Sequence, residues 1–170
     1  SDESDRLVRS LLDLPLPLVL VADGINAVCG TLELLSVRRG RVTVLTPHEG
    51  EFLRAGGDLT PGREEAARRF ARLHGVYLIL KGHRTVITAP DGRCAVNPTG
   101  NAGMAKGGSG DVLSGMVLSL LGQGMEPFAA CCAAAFLHGR AGDLAARELG
   151  ERGMTPSDLL ERIPRAFLSL

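Results

Sequence analysis

The sequence predicts an α/β fold around a mostly parallel sheet, on three observations. Leu18-Val19-Leu20-Val21, Val42-Thr43-Val44-Leu45 and Val76-Tyr77-Leu78-Ile79-Leu80 are strand-length, largely apolar runs. The first does not alternate, as expected of a strand buried on both faces of a parallel sheet. Segments of helical spacing follow these runs, and a polar, glycine-rich stretch at 97–113 leads straight into an apolar helix. With 170 residues, the chain suits one domain and one core, burying roughly 70% of its unfolded surface.

Residues 5–13 read as a short helix stopped by Pro15 and Pro17. The strand at Leu18 ends in Ala22-Asp23-Gly24-Ile25-Asn26. Ligands of open α/β sheets collect at such carboxyl ends, so Asp23 and Asn26 are candidate site residues, with plain turn formation as the alternative. After Leu45, Thr46 is expected to cap a helix whose first position is Pro47. His48 then stands near a strand's carboxyl end, where an imidazole can bond substrate, carry a proton or be merely structural. Glu51 follows in the same segment as a further possible site residue. The Arg63–His74 segment has helical spacing, its charges reading as a solvated face and Gly75 as its stop.

Lys81-Gly82-His83-Arg84-Thr85 joins the strand at Val76 to Val86-Ile87-Thr88 by a tight basic turn, able to meet a polyphosphate or to stand solvated. Asp91-Gly92 turns the chain into Cys94-Ala95-Val96. Beyond the glycine-rich stretch, Val112, Leu113, Met116, Val117, Leu120 and Leu121 recur at helical spacing. Pro127 opens a long helix reaching about Leu149, packed through Ala129, Ala130, Ala133, Ala134 and Leu137. Thr155-Pro156-Ser157-Asp158 starts a last helix that Pro164 is expected to bend or interrupt.

The glycine-rich stretch carries the chemistry. Helix N-termini leave backbone N–H groups unpaired and add partial positive charge, which makes them anion sites. Gly107, Gly108, Ser109 and Gly110 let a phosphate approach bare peptide, and Asn101 lies within the same loop. Asp111 would repel a phosphate, so its use is chemical: a base for a substrate hydroxyl while neighbouring N–H groups stabilise a transferring phosphoryl group. Capping the helix is the alternative. The order of Lys106 and the glycines is not that of the G-x-x-x-x-G-K-[ST] loop.

Nineteen basic and nineteen acidic residues cancel, which argues against nucleic acid or anionic membrane as partners. The four cysteines show no C-x-x-C spacing and read as reduced, buried small residues, and no apolar run reaches membrane-spanning length. The expectation is a cytoplasmic protein with small-molecule partners.

Three stretches in order, Thr46-Pro47-His48-Glu49-Gly50-Glu51, Lys81-Gly82-His83-Arg84-Thr85 and Asn101 to Asp111 with Met104-Ala105 and Gly107-Gly108-Ser109-Gly110-Asp111, resemble the ADP- or ATP-dependent NAD(P)H-hydrate dehydratases. The resemblance runs from about Pro17 to the end. It implies a ribokinase-like three-layer α/β/α sandwich and a nicotinamide repair reaction, dehydration of NADHX or NADPHX with ADP or ATP as phosphoryl donor and Mg²⁺ on the phosphates. By the same resemblance, His48 contacts the hydrated dinucleotide, and Asn101 and Asp111 are substrate-binding as well. Lys81, Gly82, His83, Arg84, Thr85 and Gly110 contact the nucleotide, and Asp111 is the catalytic residue. No metal ligand is assigned.

Family members carry roughly a hundred residues before the strand at Leu18, so 1–170 is expected to be the C-terminal portion of one such domain, truncated at its N-terminal side. That strand would then show an unpaired edge, to be covered by the missing segment or another chain. The resemblance also implies a homo-oligomer, tetrameric in the family, and sometimes an attached epimerase domain. Two other classes stay open: a kinase of a sugar or vitamin precursor, and a non-catalytic nucleotide-binding fragment.

Overall fold

The computed structural model describes residues 2–169. The chain divides into two compact units, Ser1–Gly82 with Val86–Ala95, and His83–Thr85 with Val96–Leu170. A five-stranded sheet of order β1-β2-β3-β4-β5 is built from Leu18–Leu20, Thr43–Leu45, Tyr77–Leu80, Val86–Thr88 and Cys94–Val96. The first three strands are parallel, with Val19 beside Val44 and Leu45 beside Leu78. β4 returns antiparallel, pairing Ile87 with Ile79 across the basic turn. β2 is buried throughout and β3 nearly so, which explains their unbroken apolarity, whereas β1 is only partly covered. Among the described residues β1 pairs with β2 alone, so its outer edge is unpaired, as expected.

In the first unit, helix α1 (Asp2–Leu11) stops ahead of Pro15 and Pro17, and α2 (Asp23–Asn26) is a single turn after β1. A 3₁₀ segment, Leu32–Arg38, delivers Arg38 into the interior, where it is 1% exposed. All five guanidinium N–H groups are used. Nε donates to Thr43 Oγ1 at 2.8 Å, Nη1 to the carbonyls of Leu12 and Leu14, and Nη2 to those of Leu16 and Val42. Burial, with Arg41 nearby, pulls the Arg38 pKa down, and the carbonyl dipoles replace the missing carboxylate.

The short helix α3 spans Glu49–Arg54, and its cap corrects the expectation for Thr46 and Pro47. Both lie before the helix, Thr46 fully buried at the end of β2, and His48 is the N-cap. Helix α4 (Arg63–His74) ends as expected at Gly75. The Arg63 charge does not belong to a solvated face. Its Nη2 donates to the carbonyls of Leu80 and Lys81, and its Nε stands 3.0 Å from Glu49, fastening the end of β3 to α4.

The second unit packs three helices, α5 (Ser109–Gly122), α6 (Pro127–Gly153) and α7 (Pro156–Phe167). α6 buries Ala130, Ala134, Ala135, Leu137, Ala141 and Ala145, whereas Ala129 lies on the exposed face. Gly150, at φ 73°, breaks its helical geometry where the sequence placed the end. α7 opens on a reciprocal Thr155–Asp158 capping box and continues through Pro164 to Phe167, uninterrupted. Leu159 and Ala166, one on each side of Pro164, are both fully buried, and their packing holds the helix together. Only Cys131 among the cysteines is buried, its thiol pushed up to about 12 by desolvation, while Cys29, Cys94 and Cys132 are half-buried. No described helix is long and apolar enough to cross a membrane.

Candidate functional site

In the first unit the carboxyl ends of β2 and β3 bring two sequence-predicted segments side by side. His48 and Lys81 form a parallel bridge, and the Lys81 N–H donates to the Pro47 carbonyl at 2.8 Å. His48 caps α3 through its ring: Nδ1 accepts from the Glu51 N–H at 3.1 Å, while the Glu51 carboxylate accepts from the His48 N–H at 2.8 Å. An accepting Nδ1 leaves the ring proton on Nε2. The imidazole remains half-exposed and can still meet a ligand. Glu51 is buried; Lys81 Nζ stands 3.8 Å from the same oxygen that accepts from the His48 N–H, and the other oxygen lies 3.6 Å from His48 Nε2.

Asp23 and Asn26 lie elsewhere in this unit, exposed and joined by a 3.4 Å bond that closes their turn. Among the described residues, the two non-glycine residues with positive φ stand within predicted site segments: Ala22 at φ 42°, just before Asp23, and Arg84 at φ 56°, in the Lys81–Thr85 turn. A residue with a Cβ held there is strained, a feature that gathers at ligand-binding segments.

In the second unit, which also contains His83, Arg84 and Thr85, the glycine-rich loop is fastened to α6. Asn97 Nδ2 donates to the Ala135 carbonyl at 3.0 Å, and Thr99 Oγ1 to that of Phe136 at 2.8 Å. Asp143 accepts from the Gly100 N–H and from Asn101 Nδ2, at 3.1 and 3.0 Å. Asn101 Oδ1 in turn accepts from the Gly103 N–H. Its observed partners are thus within the loop and on α6. Lys106, beside the glycine pair, sends its ammonium to the carbonyls of Glu151, Arg152 and Met154 at the end of α6. His138 on α6 reaches the Ser109 carbonyl at 2.8 Å.

Gly139 permits this approach. A Cβ there would come 2.7 Å from the Thr99 carbonyl carbon and 2.9 Å from the Gly100 nitrogen, both backbone atoms that cannot swing aside. Gly139→Ala should therefore destabilise the second unit by about 1–3 kcal/mol, a loss that thermal unfolding checks.

The loop enters α5 at Gly108, the N-cap, whose φ of 97° suits glycine. Asp111 is therefore not the cap; it lies in the first turn, exposed, with no side-chain partner among the described residues. The N–H groups of Gly107, Gly108 and Gly110 likewise make no hydrogen bond among the described residues, while those of Ser109 and Asp111 are satisfied within the turn. Unpaired donors at a helix start beside a free carboxylate give an anion-binding surface with a base next to it.

Sequence reading found the loop but missed Asp143 and His138, because its signals are local and these residues are 29 or more positions from their partners. The recurrent small residues of α6 were the available hint, since they signalled close approach by another segment.

The family model described as NAD(P)H-hydrate dehydratase matches residues 1–165. A bifunctional NAD(P)H-hydrate repair enzyme of Moorella thermoacetica is 45% identical over 169 residues, covering 96% of this chain and 32% of its own length. The crystal structure of an ADP/ATP-dependent NAD(P)H-hydrate dehydratase from Bacillus subtilis, co-crystallised with ATP/Mg²⁺, superposes with TM-score 0.83 at 32% identity, over 99% of this chain and 60% of that one. A ribokinase-like superfamily protein of Enterococcus faecalis shares the fold, with TM-score 0.81 at 23% identity over 99% of this chain and 59% of its own. The chain spans about a third of the curated relative's length. With the fold ribokinase-like and the family model matched almost end to end, the chain belongs to the NAD(P)H-hydrate dehydratase family.

Proposed function

We propose that this chain takes part, as a portion of a longer domain, in the ADP- or ATP-dependent dehydration of NADHX or NADPHX. The observation that supports it most is the exposed Asp111 carboxylate beside the unpaired N–H groups of Gly107, Gly108 and Gly110. Asp111 takes the proton of the ring hydroxyl. That oxygen then attacks the terminal phosphorus of the nucleotide, whose bond to the bridging oxygen breaks, releasing AMP from ADP or ADP from ATP. The loop N–H groups hold the charge on the transferring group. The ring nitrogen's electron pair expels phosphate from the ester, and loss of a proton from the adjacent carbon restores the reduced nicotinamide.

His48 bonds the hydrated dinucleotide through Nε2, and Lys81, Gly82, His83, Arg84 and Thr85 receive the nucleotide with Gly110. Mg²⁺ neutralises phosphate charge when the nucleotide is bound. It commonly keeps water and phosphate oxygens as ligands, and the described residues contain no group of three or more metal-binding side chains. The unpaired edge of β1 and the coverage of the relatives support reading residues 1–170 as the C-terminal portion of one such domain.

The test is recovery of reduced-nicotinamide absorbance from hydrated NADPH with Mg²⁺ and either ADP or ATP. Nucleotide-dependent recovery is expected from a preparation that contains the upstream residues. Phosphorylated product accumulating without recovery would identify a kinase instead, and no turnover with intact nucleotide binding would identify a binding fragment.

A further inference from the structure

His138 lies outside the three motif stretches, yet it grips the loop at its most consequential peptide. It is 9% exposed, and its Nε2 lies 2.8 Å from the Ser109 carbonyl oxygen. A carbonyl oxygen carries no proton, so the imidazole donates. The Ser109 carbonyl and the Gly110 N–H belong to one planar trans peptide group and point in opposite directions. One side of this group is held by His138, while its N–H has no hydrogen-bond partner among the described residues. Fixing the carbonyl fixes the direction of the N–H. A carbonyl that accepts a hydrogen bond also polarises its peptide and makes the N–H a stronger donor.

The rest of the loop's fastening comes from the same face of α6. His138, Gly139, Gly142 and Asp143 recur at positions i, i+1, i+4 and i+5. Asp143 holds Gly100 and Asn101, Gly139 lies against Thr99 and Gly100, and Gly142 leaves room for Met104.

We propose that His138 is a positioning residue of the anion site, orienting and polarising the Gly110 N–H through the Ser109 carbonyl so that it meets a phosphoryl oxygen. This rests on the reading of the loop as the phosphoryl-binding element. A buried histidine that only ties α5 to α6 would affect stability, but it would leave the donor strength of Gly110 unchanged.

The test compares wild type with His138→Gln, whose amide can donate at similar reach, His138→Leu, which cannot donate, and His138→Asn, a shorter polar side chain. The readouts are the Gly110 amide resonance in ¹⁵N-labelled protein, ADP affinity by calorimetry in Mg²⁺, and kcat. In His138→Leu the free-state Gly110 amide proton should move upfield. ADP affinity or kcat should fall about tenfold, less than the 10²- to 10³-fold cost of deleting a direct donor. His138→Gln should restore both. If His138→Leu does not fold, His138→Asn supplies the same comparison.

A Gly110 resonance and ADP affinity in the leucine or asparagine variant equal to wild type would overturn the proposal. So would a glutamine variant as defective as leucine. If ADP leaves the wild-type loop resonances unmoved, the phosphoryl-binding reading itself fails, and the free-state shift of Gly110 still reports whether His138 sets that peptide.

Discussion

Asp111→Asn should lower kcat by about 10²- to 10⁴-fold, the span over which a positioned general base acts, while ADP binds as tightly as before or more tightly. The sign of the second effect follows from charge. A carboxylate in the first turn of α5 repels phosphate, and the amide removes that repulsion without touching the N–H groups of Gly107, Gly108 and Gly110. The helix should survive, because Gly108 is its cap and Asp111 bonds nothing through its side chain among the described residues. Single-turnover kinetics on hydrated NADPH and calorimetric titration with ADP separate the two effects. Equal losses of binding and turnover would make Asp111 a structural residue.

Arg38→Met should be the most destabilising single substitution in the first unit, at about 3–5 kcal/mol. That is the range for leaving buried groups unpaired, with charged hydrogen bonds near 1.5–3 kcal/mol each before water replaces some of them. Methionine follows the aliphatic path of the side chain but abandons four carbonyls and Thr43 Oγ1 together. The carbonyls of Leu14 and Leu16, whose residues are exposed, can turn to water, which keeps the total below the sum of five bonds. A lysine has three donors and lacks the planar fork, so Arg38→Lys should recover only part of the loss. Thermal unfolding should shift down by roughly 10 °C. The chain has no tryptophan and one tyrosine, so circular dichroism is the suitable probe.

The fold was legible where one signal sufficed. β2 and β3 are buried as their apolarity required, and Gly75 and Thr155 bound their helices as their chemistry predicts. Local rules failed where two competed. Thr46-Pro47 matched the cap-and-proline pattern, but the His48–Glu51 box formed two backbone–side-chain bonds and set the helix start two residues later. Pro164 lacks an N–H, yet buried neighbours Leu159 and Ala166 hold α7 as one helix. The loop motif and Asp111 were visible because glycines, a helix start and an acid lie together in sequence. The partners of the loop were not, since only the packing of α5 and α6 brings Ser109 to His138 and Gly100 to Asp143.

The stretch between Asn97 and Ser109 is a connecting segment by its hydrogen-bond pattern, but it lacks the freedom of most surface connections. It is pinned to α6 at Ala135, Phe136, His138, Asp143 and again near Met154. Surface loops commonly accept inserted residues. Here each pin sits at a fixed rise along a helix, so adding or deleting one residue would put every later pin out of step with its partner. Length in this segment is therefore under the same constraint as identity in a packed core. Variation in chain length should collect instead at turns such as Asp58–Thr60, whose bonds are confined to one another.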